Sequence, residues 1–324
     1  MVLAGFEDCQ RDVGLACARL LAASIAAGLA SAHGKSSAVC EDQSDGSVKV
    51  ISESNEYEGV PRVAASSYLN SAPLIWSFAR GERAREVALL TNAAPARCGD
   101  MLARGLVEAA LVPVIEYQRL PEVRVVPGVC VGARRAVRSV LLVTRRKDLK
   151  DVRTLALDES SRTSAALVQV IFREFVGREV QTAPASPDVK AMLAGHDAAL
   201  VIGDPAMTFA RENLHVYDMA ELWREYTGLG FVFAMWMAHA SAADAVRRVD
   251  FSAARDEGLA CLEEIVAEYE RELNLPRAEL RSYLTENICF DLNEEMRAGL
   301  ELFFRLARKH ELAPGLRPLK MLGA

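Results

Sequence analysis

From Pro61 onward short apolar runs alternate with stretches of helical periodicity, and no feature of the chain constrains its fold more. Arg62 to Ala65, Val87 to Leu90 and Ala109 to Val114 read as strands. Pro73 and Pro95 stand where the following helices would begin, and Gly81 stands where the first of them would end. The near-continuous apolar character of these strands predicts a parallel, buried sheet. Val137 to Thr144 is a longer run that leads into a second set: Thr154 to Leu157 as strand, Thr163 to Phe175 as helix, Ala198 to Ile202 as strand. Within that helix Leu167, Ile171 and Phe175 recur every four residues and form one apolar stripe. Phe231 to Met237 is a further strand-like run, after which the pattern is helical to the end. Leu259, Leu262, Val266, Tyr269 and Leu273 share one face there, and Met296, Leu300, Phe303 and Phe304 another.

Two α/β sets joined by two long strand-like runs predict an α/β fold of two lobes with a double crossover and a central ligand cleft. One continuous doubly wound sheet is the alternative that periodicity leaves open. The expected division is a flexible N-terminal extension over residues 1–60, a discontinuous first lobe over 61–141 plus 238–324, and a second lobe over 142–237. Lys35 to Glu58 is rich in Ser, Asp, Glu, Gly and Asn, which reads as a linker. Leu20 to Ala32 ends in Ala30-Ser31-Ala32, resembling an export cleavage site, but Glu7, Asp8 and Asp12 outweigh Arg11 and Arg19 before it, opposite to what an export signal needs. No apolar run approaches about 18 residues, so no membrane span is expected.

A net charge of −6 over 324 residues argues against a nucleic-acid-coating surface, so an anionic ligand must be held by local groups. The seven cysteines form no CxxC pair and the five histidines show no metal-ligand spacing, which fits a reducing, cytoplasmic setting and no metal site. HExxH, GxSxG, GxGxxG and P-loop motifs are all missing from the sequence. A metalloenzyme, a hydrolase triad and a dinucleotide enzyme are therefore disfavoured.

Three strand-to-helix junctions carry small polar residues: Ser66-Ser67-Tyr68-Leu69-Asn70-Ser71, Asp158 to Ser164, and Gly203-Asp204-Pro205. Ligands of open α/β sheets bind at such junctions, where free amides of the next helix face the crevice. In the second, the hydroxyls of Ser160, Ser161, Thr163 and Ser164 and the charge of Arg162 suit a carboxylate, although such residues also serve simply as helix caps. Asn70 offers a donor and an acceptor from one side chain without titrating, and Tyr68 reads as pocket wall or core. Asp204 before Pro205 reads foremost as a helix cap. Taken together these residues point to a two-lobed anion binder and do not choose between a receptor and an enzyme.

The stretch from Val63 to Leu74, VAASSYLNSAPL, resembles the opening motif of the chorismate dehydratase family, which begins the futalosine route to menaquinone. Ala110 to Tyr117, Arg138 to Leu142, Ala156 to Ser164 and Ile202 to Ala206 agree with it in order and spacing, over almost all of the chain after Pro61. The resemblance implies the bilobal fold of type II periplasmic binding proteins, chorismate as small-molecule substrate, no cofactor and no nucleic-acid or membrane partner. It implies a substrate-assisted elimination giving 3-[(1-carboxyvinyl)oxy]benzoate. In that route Asn70 and Ser139 stand nearest the reacting centre as catalytic residues. Ser66, Tyr68, Ser160, Ser161, Arg162, Thr163, Ser164, Gly203 and Asp204 bind substrate. Ala72 departs from the family pattern, where a basic residue is frequent, as does Val114, where a small polar residue is usual. The alternatives are a related 1,4-dihydroxy-6-naphthoate synthase and a carboxylate solute-binding protein.

Overall fold

The structure is a computed structural model that describes residues 49–50, 59–92 and 94–323. The leader-like segment and all of the expected linker except Lys49 and Val50 lie outside these residues.

Two mixed sheets form the scaffold. The first contains strands β1 (Lys49–Val50), β2 (Arg62–Ser66), β3 (Ala88–Asn92), β4 (Ala109–Pro113), β5 (Val123–Ala133) and β11 (Phe231–His239), in the order β1-β3-β2-β4-β11-β5. The second contains β6 (Val140–Thr144), β7 (Thr154–Asp158), β8 (Gln181–Ala185), β9 (Ala198–Ile202) and β10 (His215–Asp218), in the order β10-β6-β9-β7-β8. In each sheet three strands run parallel: β3, β2 and β4 in the first, β8, β7 and β9 in the second. A strand delivered by a crossover then pairs antiparallel with the third of them, β11 against β4 and β6 against β9. The chain thus passes between the sheets twice, through residues 134–139 and through the helix Met219–Thr227 with its following turn. The single continuous sheet is excluded by this strand order.

The central strands β4, β6 and β9 are buried along their whole length, as their unbroken apolar sequences require. Sheet membership differs from the expected division at both crossovers. Val140 and Leu141 begin β6 in the second sheet, and Phe231 to Met237, assigned above to the second lobe, pair with β4 and β5 in the first. Periodicity identifies a buried strand but carries no information about its partner, so it cannot assign a crossover strand to a sheet. Four strands have no expected counterpart: the two-residue β1, which falls in the expected linker and pairs with β3; β5, which is interrupted by Pro127-Gly128 and register shifts against β11; and the short, partly exposed β8 and β10. Both interruption and edge exposure erase the apolar signal.

The C-terminal helices cover the first sheet. Phe251–Ala260 lies on Ala72–Arg80 so closely that a Cβ on Gly258 would overlap the Pro73 carbonyl, which leaves room only for glycine. Glu294–Lys309 packs on β11 and also meets the helix Thr163–Val170 of the second sheet. Among the described residues no helix is long and apolar enough to cross a membrane.

Candidate active site

The ends of β2, β4, β7 and β9 converge on a cleft between the two sheets that holds about 510 Å³ of space free of protein atoms, mouth included. Ser66, Tyr68, Asn70, Ser160, Ser161, Thr163, Ser164 and Gly203 line it, with Leu111, Pro113, Val131, Val140 and Phe233 among its apolar walls. None of the lining side chains is ionic.

After β2 the chain makes one short turn, Leu69–Ser71, before the helix Ala72–Arg80. The Ser66 and Ser71 hydroxyls hydrogen-bond each other at 2.7 Å, and the Ser71 hydroxyl is also 3.2 Å from Asn70 Oδ1, to which it can donate. With its oxygen held this way, Asn70 keeps its two N–H bonds for other partners. The Tyr269 hydroxyl donates to the Ser67 carbonyl at 2.7 Å and fixes the end of the strand from the C-terminal helices.

Ser139 lies in the first crossover and is fully buried. Its neighbour Arg138 adopts a left-handed backbone with φ 62°, unusual for a residue with a side chain. Two amide bonds to the Asp218 carboxylate, from Val137 at 3.1 Å and Arg138 at 2.6 Å, hold this conformation, and Gly203 N–H donates to the Ser139 carbonyl at 2.8 Å. The Tyr283 hydroxyl donates to Ser139 Oγ at 2.7 Å, and the Asn70 side chain is a second polar partner of the same phenol. Burial raises the Tyr283 pKa, so the phenol keeps its proton. Ser139 is not on the cleft wall but directly behind it, next to Val140, which is. Tyr283 escaped the sequence reading because, flanked by the buried Leu280 and Leu284, it reads as one more core aromatic.

The second junction is organised by a buried carboxylate. Asp158 Oδ1 accepts from the Ser160 amide at 2.9 Å and its hydroxyl at 2.6 Å, while Oδ2 accepts from the Ile202 amide at 3.1 Å. Burial raises the Asp158 pKa, and these three donors act against that rise. No side chain caps the helix Thr163–Val170, so the capping alternative for Ser160, Ser161 and Thr163 fails, and the first two residues of this uncapped helix, Thr163 and Ser164, lie on the cleft wall. Thr163 Oγ1 instead accepts from the Ile115 amide of the first sheet at 3.2 Å.

Two charged candidates are turned away from the cleft. Arg162 spans the two sheets, reaching Asp100 at 2.6 Å and the nearly buried Glu116 at 3.3 Å, because those carboxylates present the nearest negative charge. Asp204 does not cap its own helix, Asp204–Thr208; its Oδ1 accepts from the Leu69 amide across the sheets at 3.1 Å. Burial pushes its pKa up to about 7. Gly203, at φ 65°, lies so close to the Tyr68 ring that a Cβ there would overlap it. The Tyr68 phenol, shielded from water, is itself pushed up to about 12. With the Ala96 amide bonded to the Ser160 carbonyl at 3.2 Å, these contacts draw the two sheets together around the cleft.

Comparisons with known proteins give this geometry a family. A family model described as menaquinone biosynthesis matches residues 61–309. The chain is 30% identical over 270 residues to the chorismate dehydratase of Thermus thermophilus, covering 76% of this chain and 92% of that one. Among solved structures, a protein from Archaeoglobus fulgidus superposes with TM-score 0.59 at 17% identity, covering 79% of this chain and 99% of that one. The periplasmic aliphatic sulphonate binding protein of Escherichia coli superposes with TM-score 0.56 at 16% identity, covering 81% and 94%. These two likenesses establish a periplasmic-binding-protein-like fold, and the sequence matches establish more: the chain belongs to the menaquinone biosynthesis family.

Proposed function

We propose that the protein is a chorismate dehydratase, a carbon–oxygen lyase acting on chorismate to give 3-[(1-carboxyvinyl)oxy]benzoate and water. One observation carries the reading from family to reaction: the cleft combines an uncapped helix start ringed by hydroxyls with a non-titrating amide, Asn70, and holds no ionic side chain on its wall. Such a wall anchors carboxylates without offering a strong base that would have to be kept neutral. The Thermus relative's activity agrees with it.

In this reading Ser160, Ser161, Thr163 and Ser164 with the first amides of Thr163–Val170 hold one carboxylate, as helix starts hold anions generally. Ser66, Tyr68 and Gly203 shape the pocket, and Asn70 is the catalytic contact. The ring C3 proton passes to the enolpyruvyl carboxylate, the electron pair of that C–H bond forms the C3–C4 double bond, and the C4–O bond breaks. The departing hydroxide takes up a proton and leaves as water, and the ring becomes aromatic. Atoms and electrons balance within the substrate, so the step needs no oxidant or reductant. What the protein contributes is orientation, exclusion of water as the two lobes meet, and hydrogen bonds to the departing oxygen. Arg162 and Asp204 hold the lobes together rather than the substrate, and the absence of a basic side chain at Ala72 leaves substrate charge to hydroxyls and amides.

The test is to incubate purified protein with chorismate and separate the products by chromatography with mass detection. A product lighter by one water, identified as 3-[(1-carboxyvinyl)oxy]benzoate, is expected. Asn70→Ala is expected to stay folded by circular dichroism and to lose about 100-fold or more in kcat, the usual scale for removing a well-placed donor. Saturable binding of chorismate without turnover would return the protein to the binding-protein class, and full activity in Asn70→Ala would remove Asn70 from the mechanism.

A further inference from the structure

Tyr283 sits 144 positions from Ser139 in sequence and 213 from Asn70, yet its hydroxyl donates to Ser139 and has the Asn70 side chain beside it. It belongs to a turn of π-helix, Tyr283–Asn287, that continues the helix Arg277–Ser282. The ring is fully buried and its phenol carries a single proton, which goes to Ser139 Oγ at 2.7 Å. That bond fixes the sense of the rest of the network. A Ser139 oxygen that accepts from Tyr283 must send its own proton elsewhere, and its acceptor among the described residues, the Val137 carbonyl, is 3.5 Å away, too long for a good bond. On the other side, the Ser71 hydroxyl lies 3.2 Å from Asn70 Oδ1, which leaves the Asn70 N–H groups for the neighbouring phenol and for the cleft that Asn70 lines.

We infer that Tyr283 is a positioning residue of the active site, whose hydroxyl fixes Ser139 behind the cleft wall and with it the orientation of Asn70, the hydrogen-bond donor toward the oxygen that leaves the substrate. The inference rests on the dehydratase reading and adds to it a residue from the far C-terminal half of the chain. Without the phenol both side chains are free to rotate, and Asn70 to offer an acceptor where a donor is needed. Loss of the hydroxyl should then slow the chemical step and leave substrate binding, made by the second junction, nearly unchanged.

Tyr283→Phe keeps the ring and removes only the hydroxyl. With chorismate as substrate, kcat is expected to fall about 10- to 100-fold, with KM within about threefold of wild type. Because Tyr283 acts through Ser139 and Asn70, the loss should not add to theirs: Tyr283→Phe combined with Ser139→Ala is expected to be little slower than Ser139→Ala alone. A purely structural tyrosine would instead give losses that multiply, together with a lowered thermal midpoint. Unchanged kcat in Tyr283→Phe, or multiplying losses in the double variant, overturns the assignment while leaving the dehydratase reading intact. A wild-type protein that does not dehydrate chorismate overturns that reading, and this role with it.

Discussion

The junctions that follow β2 and β7 occupy equivalent places in their sheets, each after the middle of three parallel strands, yet they are built on opposite principles. After β2 the junction's own side chains are neutral: Ser66, Ser71 and Asn70 satisfy one another, and order is imposed from distant parts of the chain, by the Tyr269 hydroxyl on the Ser67 carbonyl and the Asp204 carboxyl on the Leu69 amide. After β7 order comes from within, from one buried carboxylate that gathers the Ser160 amide and hydroxyl and the Ile202 amide. The difference teaches where each lobe derives its precision. The second junction is self-contained and leaves a helix start free to take an anion; the first depends on distant side chains, which is what a donor that must be aimed requires.

The largest effect expected from breaking this contrast is that of Asp158→Ala. It strands three buried donors at once and should lower unfolding free energy by on the order of 4 kcal/mol, read as a fall in denaturant midpoint. Ser71→Ala, in the neutral junction, should cost about 1 kcal/mol in the same measurement. A comparable loss from the two substitutions would erase the distinction between the junctions.

Asp204 sharpens the comparison through pH. Its carboxyl has a folded-state pKa of about 7 against an ordinary 3.8, because burial between the sheets disfavours the charge. The folded state therefore binds the proton more tightly, so this contribution to stability is fully present below about pH 4 and is lost as pH rises to about 7. Thermal midpoints of wild type and Asp204→Asn, compared across that range, should show wild type losing on the order of 4 kcal/mol relative to the variant, and little further change above it. The variant comparison is needed because Glu108, Glu174 and Glu257, held below their ordinary range by cationic and hydrogen-bond partners, change stability in the opposite sense. A parallel pH dependence of the two proteins would show that Asp204 does not carry this effect.

Arg162→Met should likewise cost little stability, about 1 kcal/mol, since Glu116 retains Arg119 at 3.0 Å and Asp100 is partly exposed. Its diagnostic value lies in KM for chorismate. An arginine that ties the sheets together leaves KM within a few-fold, whereas one that binds a substrate carboxylate raises it by an order of magnitude or more.

Much of this architecture was legible in the chain itself. The strands β2, β4, β7, β9 and β11 stand within a residue or two of where apolar runs place them, because a strand buried on both faces must be apolar throughout. The polar junctions were legible too: Ser66, Tyr68, Asn70, Ser160, Ser161, Thr163, Ser164 and Gly203 all reach the cleft wall, since a connection from strand end to helix start projects its small polar residues into the crevice. Charge was misleading at the same positions. An arginine beside an anion-binding helix start suggests a ligand partner, but Asp100 and Glu116, distant in sequence, claim it first.

What the sequence by itself determined is therefore local: which segments are strands and helices, which faces are apolar, and which junctions carry hydroxyls and amides. These follow from periodicity and turn chemistry, which act over a few residues. Only the tertiary structure decided that β11 joins the first sheet, that Arg162 and Asp204 bridge the sheets, and that Tyr283 meets Ser139 and Asn70 behind the cleft. Each of those depends on a partner tens to hundreds of residues away. Periodicity records which face of an element is buried but not what it is buried against.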